Sequence, residues 1–175
     1  VNHNDSGLVI INNRLASVQD YQDTTDSQVN CIPATIAEIN PISDVCLLKT
    51  PLQIQSTMIL SSTDRIQVGG EVVVFGYPHS DHGRMVLTQQ NTHIGAKVLI
   101  ESSGIKFKNV VLNIQSRPGQ SGGPIICPNT REVVGMIIGS YAPQKGGGII
   151  IGGIDPQTLH QTTHAISAEY IKEML

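Results

Sequence analysis

The stretch Arg117-Pro118-Gly119-Gln120-Ser121-Gly122-Gly123-Pro124 holds the residue types that can turn a serine hydroxyl into a nucleophile. Such a serine needs a tight bend that exposes its Oγ, and backbone N–H groups beside it to hold the negative oxygen of a tetrahedral intermediate. Glycine ahead of the serine lets the backbone turn an N–H toward that oxygen with no Cβ in the way. Glycines after it let the chain drop straight into a core strand. Ser121 is therefore the candidate nucleophile, and Gly119, Gln120 and Ser121 supply the candidate oxyanion-binding backbone. A lone Gly-x-Ser-x-Gly is weak evidence, whereas Gly-x-Ser-Gly-Gly-Pro between two β-like runs is far more specific. The hydroxyl also needs a base, normally a neutral imidazole oriented by a carboxylate.

The elements that must position these groups read as β-strands throughout, with one short closing helix. Runs rich in Val and Ile lie at residues 8–11, 28–32, 35–39, 45–49, 71–75, 84–89, 97–101, 109–114, 124–127, 133–138 and 148–151. Gly, Pro, Asn and Ser separate them. Many short strands with regular turn signals predict an all-β sandwich or barrel rather than a βαβ fold. Ser167 is placed to N-cap a helix over 168–175, with Glu169 near its positive end. The glycines at 146–148 and 152–153 suit a hairpin. No strand-to-helix transition with Lys follows them, as a phosphate-cradling loop would require.

Asp44-Val45-Cys46-Leu47-Leu48-Lys49, Gly76-Tyr77-Pro78, Val134-Gly135-Met136-Ile137-Ile138 and His164-Ala165-Ile166 fall in one order around the serine motif. Together these segments resemble the trypsin-like serine proteases of the HtrA/Deg type, and the resemblance covers nearly the whole chain. It implies two antiparallel β-barrels with a short C-terminal helix: an N-terminal barrel over 1–50, a connection over 51–70, a C-terminal barrel over 71–166 and a helix over 167–175. Val1 in place of Met implies an upstream segment, and the first strand of the N-terminal barrel is expected to be missing. The resemblance makes Asp44 the acid of the triad. It places Gln115 and Ser116 on the floor of the specificity pocket and Ile138, Gly139 and Ser140 along its wall. An uncharged floor is not suited to Lys or Arg side chains. The adjoining strand is expected to accept an extended peptide by β-addition. A homo-oligomer, a trimer, is a further implication of the family.

The base is the point of departure. The resemblance sets a histidine after the strand at 8–11, where this chain has Asn12-Asn13-Arg14; Arg14 precedes Asp44 by 30 residues and Ser121 by 107. Arginine stays protonated with a pKa above about 12 and cannot accept the serine proton. Two readings follow: a pseudoprotease that binds peptides or proteins, or an active serine endopeptidase using His3 or an external base. His79 and His82 fall on a solvated rim loop rather than in a metal site, and His93, His160 and His164 in structural positions. No metal or cofactor is expected.

Composition narrows the partners. A net charge of −3, with only 14% charged residues, disfavours nucleic acid and anionic membranes. No apolar run approaches the roughly 20 residues of a membrane-spanning helix. Cys31, Cys46 and Cys127 are expected as buried free thiols, which favours a reducing, intracellular or organellar setting.

Overall fold

Short Val- and Ile-rich runs become ten strands among the described residues. The computed structural model describes residues 8–12, 17–26, 28–53, 56–141 and 162–175, and the backbone alone at 12, 81 and 141. The N-terminal half contains β1 (Val9–Asn12), β2 (Asn30–Pro33), β3 (Thr35–Asn40) and β4 (Val45–Lys49). They form two antiparallel pairs, β1 with β2 and β3 with β4, rather than a closed barrel among the described residues. A bulge between Ile36 and Glu38 bends the second pair.

The C-terminal half closes completely. Strands β5 (Glu71–Gly76), β6 (Thr88–Ser102), β7 (Ile105–Leu112), β8 (Pro124–Ile126), β9 (Val133–Tyr141) and β10 (Thr162–Ser167) form a barrel in the order β10-β7-β6-β5-β8-β9. Alternation along each strand sends one face inward, where Val72, Val74, Ile94, Val110, Leu112, Ile125, Val134, Ile137 and Ala165 make the core. Ile66, from the connecting segment, joins them. The same segment is tied to β9 by the backbone, with the Ser61 N–H donating to the Val133 carbonyl at 2.8 Å.

The run expected at 84–89 overlaps β6 only at residues 88–89, whereas the run at 97–101 lies wholly within that 15-residue strand. Its middle is polar, so it carries little strand signal. That polarity has a structural reason: Gln90 faces the serine loop, as described below. A bulge between Ile94 and Ala96 bends the strand. Gly95 allows the bend, since a Cβ there would lie 2.3 Å from Asn113 Oδ1. The run expected at 148–151 lies outside the described residues.

Two local expectations are corrected. Ser167 does not cap the helix: it ends β10, and its Oγ accepts the Thr63 N–H at 3.0 Å. The helix α1 (Glu169–Lys172) follows Ala168, which offers no side-chain cap. Glu169 helps hold α1, accepting from Ser62 Oγ and pairing with Lys108 Nζ at 3.1 Å. The cysteines are free but not buried: Cys31 and Cys46 are exposed and Cys127 is half-buried. Cys46 follows buried Val45, so strand alternation puts it on the open face of its hairpin.

Among the described residues, contacts at Val45 and at Gln22 tie the halves together. Val45 packs in a second cluster with Phe107 and Ile166 on the outside of the barrel. The Gln22 side-chain amide donates to the Leu87 carbonyl at 2.8 Å and accepts the Leu87 N–H at 2.7 Å. Gln22 thus gives Leu87, which directly precedes β6, the two bonds a strand partner would.

The core carries a direct expectation. Ile137 is fully buried, and Ile137→Ala should cost about 2–5 kcal/mol of unfolding free energy. Urea denaturation followed by circular dichroism would measure it, and a loss under about 1 kcal/mol would contradict this account of the barrel core.

Candidate active site

Pro118 and Gly119 occupy the central positions of a four-residue turn. The Gln120 N–H donates to the Arg117 carbonyl at 3.1 Å and Gly119 has φ +88°, the pattern of a type II turn. Proline presets the first central position and only glycine is comfortable at the second. Gly119 has no room for a side chain either: a Cβ would meet Ser80 Oγ at 2.3 Å and the Tyr77 carbonyl oxygen at 2.4 Å.

Three further contacts fix the loop. The Gln120 side chain is fully buried; its Oε1 accepts the Arg117 N–H at 2.7 Å and its Nε2 donates to Gln90 Oε1 at 2.7 Å. The Gly122 N–H donates to the Ile137 carbonyl at 2.7 Å, and the Ile137 N–H to Gly123 at 2.9 Å. Gly123 sits so close to β5 that a Cβ would lie 2.3 Å from the Phe75 carbonyl oxygen. The loop is thereby held to β5, β6 and β9, with Ser121 exposed at its tip.

The backbone N–H groups divide by use. That of Gln120 closes the turn, so Gln120 supports the loop through its side chain rather than offering a free donor. Among the described residues, nothing accepts the N–H of Gly119 or of Ser121. Two free donors flanking an exposed hydroxyl can stabilise a developing oxyanion.

The segments expected to line a pocket beside Ser121 lie on β9 and next to β10. The Ser116 N–H donates to Thr163 Oγ1 at 2.8 Å, and that hydroxyl donates to the Ile114 carbonyl at 2.7 Å. Thr163 is fully buried and anchors the segment leading into the serine loop. Gln115 and Ser116 are half-buried beside it. Ile138, Gly139 and Ser140 follow the part of β9 that pairs with β8, and Gly139 and Ser140 pair with His164 and Thr163 of β10.

Of the groups expected to form the acid–base half, Asp44 lies within the described residues. Asp44 is exposed, has φ +56°, and stands directly before β4. Among the described residues no hydrogen bond or ion pair takes its carboxylate. His3, Arg14 and His160 lie outside the described residues. His93 is on β6 opposite Glu71. His79 and His82 border a single 3₁₀ turn at Ser80–His82, and no group of three metal-ligating side chains occurs among the described residues. His164 Nε2 lies 3.1 Å from Thr162 Oγ1, and burial holds its pKa below the ordinary histidine value. Gln90 and Thr163 support the site without any motif that marks them.

A family model described as the trypsin-like peptidase domain matches residues 6–136. Solved structures share the fold. Rv3671c of M. tuberculosis H37Rv, in an inactive form, is 19% identical with a TM-score of 0.60, covering 82% of this chain and 63% of its own. The MamO protease domain of Magnetospirillum magneticum is 15% identical with a TM-score of 0.59, covering 87% and 72%. The HtrA-type protease AlgW, solved with a decapeptide, is 19% identical with a TM-score of 0.61, covering 83% of this chain and 40% of its own. The chain therefore spans less than two thirds of the first and third of these. No curated protein matches significantly.

Two measurements test this geometry. Gln120→Ala leaves the part-buried Arg117 N–H and Gln90 Oε1 without their partner, and should cost about 1–3 kcal/mol in all, read as a lower urea midpoint. His164 contributes a pH dependence. Its folded pKa is lowered, so below about pH 6.5 the unfolded chain binds the proton first and stability falls as the pH drops. The urea midpoint should decrease between pH 7.5 and 5.5, and by less in His164→Asn; equal decreases would refute the assignment.

Proposed function

Because this chain belongs to the trypsin-like peptidase domain family, we propose that it binds an extended peptide or protein segment in the groove beside Ser121, and that its turnover of peptide bonds is strongly impaired. The observation that carries this reading is the contrast between the two halves of the site. The serine loop is built, with Ser121 exposed and the N–H groups of Gly119 and Ser121 open. The acid, Asp44, is exposed and holds no partner among the described residues. Arg14 occupies the position that the family resemblance assigns to the base, and a guanidinium cannot take the serine proton.

In this reading Ser121 is the nucleophile position, Gly119 and Ser121 supply oxyanion donors, and Asp44 is the acid. Gln115 and Ser116 floor the pocket, and Ile138, Gly139 and Ser140 wall it. In this reading the peptide lies along β9 and is held by main-chain hydrogen bonds, which require no imidazole. The decapeptide bound to AlgW supports this choice of ligand class.

The open donor pair favours a second reading, an active serine endopeptidase in which His3 or an external group is the base. Labelling with a fluorophosphonate separates the two. Loss of the histidine from a comparable triad costs about a million-fold in turnover, or roughly 8 kcal/mol of barrier. The unmodified chain should label Ser121 no faster than a Ser121→Ala control at short times, and Arg14→His should raise the rate by at least about tenfold. Labelling of the unmodified chain at the rate of an ordinary active protease would reject the impaired reading.

A further inference from the structure

His79 is one of four non-glycine residues with a positive φ among those described, at +65°. Such a conformation costs energy and persists only where the surroundings enforce it. It lies outside every role assigned above, yet its backbone touches the serine loop. Its N–H donates to the Pro118 carbonyl at 2.7 Å. In a trans peptide the carbonyl and the following N–H point in opposite directions. Fixing the Pro118 carbonyl toward His79 therefore aims the Gly119 N–H away from the 77–83 loop, with no other protein acceptor among the described residues. The same loop closes on the Gly119 α-carbon through Ser80 Oγ and the Tyr77 carbonyl, where no Cβ fits. The left-handed turn at 79 is itself braced, since the His82 N–H donates to the His79 carbonyl at 3.0 Å and the Ser80 N–H to Tyr77 at 3.1 Å.

We propose that His79 is a positioning residue for the oxyanion site: its left-handed backbone sets the orientation of the Pro118–Gly119 peptide, and so decides whether the Gly119 N–H is presented beside Ser121. The proposal rests on the reading of Ser121 and Gly119 given above. It concerns the backbone at 79 and not the imidazole, which makes a sharp comparison available. Glycine accepts φ +65° without strain and keeps the N–H. A β-branched residue resists that conformation and withdraws the N–H from Pro118.

The test compares the unmodified chain, His79→Gly and His79→Val. The first readout is the amide-to-α-proton coupling and the ¹⁵N shift of Gly119 by NMR, which report its φ directly. His79→Gly should leave both unchanged, and His79→Val should move Gly119 off φ +88° with the barrel's thermal midpoint held within a few degrees. The second readout is fluorophosphonate labelling of Ser121, in the unmodified and Arg14→His backgrounds. Losing one oxyanion donor costs about 10²–10³-fold in comparable enzymes, so Val at 79 should slow labelling at least tenfold relative to Gly at 79. A Gly119 signal that is the same with Val at 79, when hydrogen exchange shows that the residue-79 amide has lost its acceptor, overturns the proposal. Labelling absent from every variant, including those with Arg14→His, would instead count against the nucleophile reading, and the Gly119 couplings then decide the positioning role alone.

Discussion

The Pro118 carbonyl has two neighbours that matter, the His79 N–H that it accepts and the Gly119 N–H that shares its peptide plane. Much of the site's geometry follows from this arrangement. A proline at the first central position of the turn and a glycine with φ +88° at the second make one peptide orientation accessible. The contact with the 77–83 loop then holds it. Glycine is demanded twice over at 119, by its dihedral and by the absence of space. Serine presentation is thus a property of two loops packed backbone to backbone, and not of the six-residue motif alone.

The barrel beneath explains why so compact a loop stays in place. Backbone bonds stitch Gly122 and Gly123 to Ile137, whose side chain is fully buried in the core. Gln120 reaches across to Gln90 on β6, and Thr163 on β10 holds Ser116. Each of these polar anchors is buried or partly buried, and each satisfies groups that would otherwise be costly to remove from water. The polar stretch of β6 is therefore not a weak strand but the counterpart of a polar loop.

That stretch also shows what was legible in the sequence and why the rest was not. Strands rich in Val and Ile and bounded by turn residues, such as 71–76 and 133–141, were readable from composition. The middle of β6 was not, because Gln90 and Thr92 turn toward buried polar partners or the barrel interior instead of an apolar core. β10 was masked in the same way by Thr163 and Ser167, both buried and both bonded to loops far away in sequence. The serine loop was readable because its glycines and proline answer to local backbone geometry. The contact with His79 was not readable, since nothing local in His79-Ser80-Asp81-His82 demands a left-handed residue at its first position. The helix cap failed for a related reason: Ser167 has the right chemistry for a cap but is held in a strand, where its hydroxyl serves Thr63.

The division of the site between the two halves has a functional consequence. Ser121, residues 138–140 of β9 and the segment at 114–116 all belong to the half that forms one closed barrel. Asp44 comes from the other half, joined to the barrel through Val45 and, nearby, through the paired amide bonds of Gln22 with Leu87. Among the described residues, the bonds that anchor the serine loop, to Gln90, Ile137 and Thr163, all lie within the barrel and draw on none of the first four strands. On the function proposed above, a substitution at the base position would alter proton transfer without touching any of those bonds.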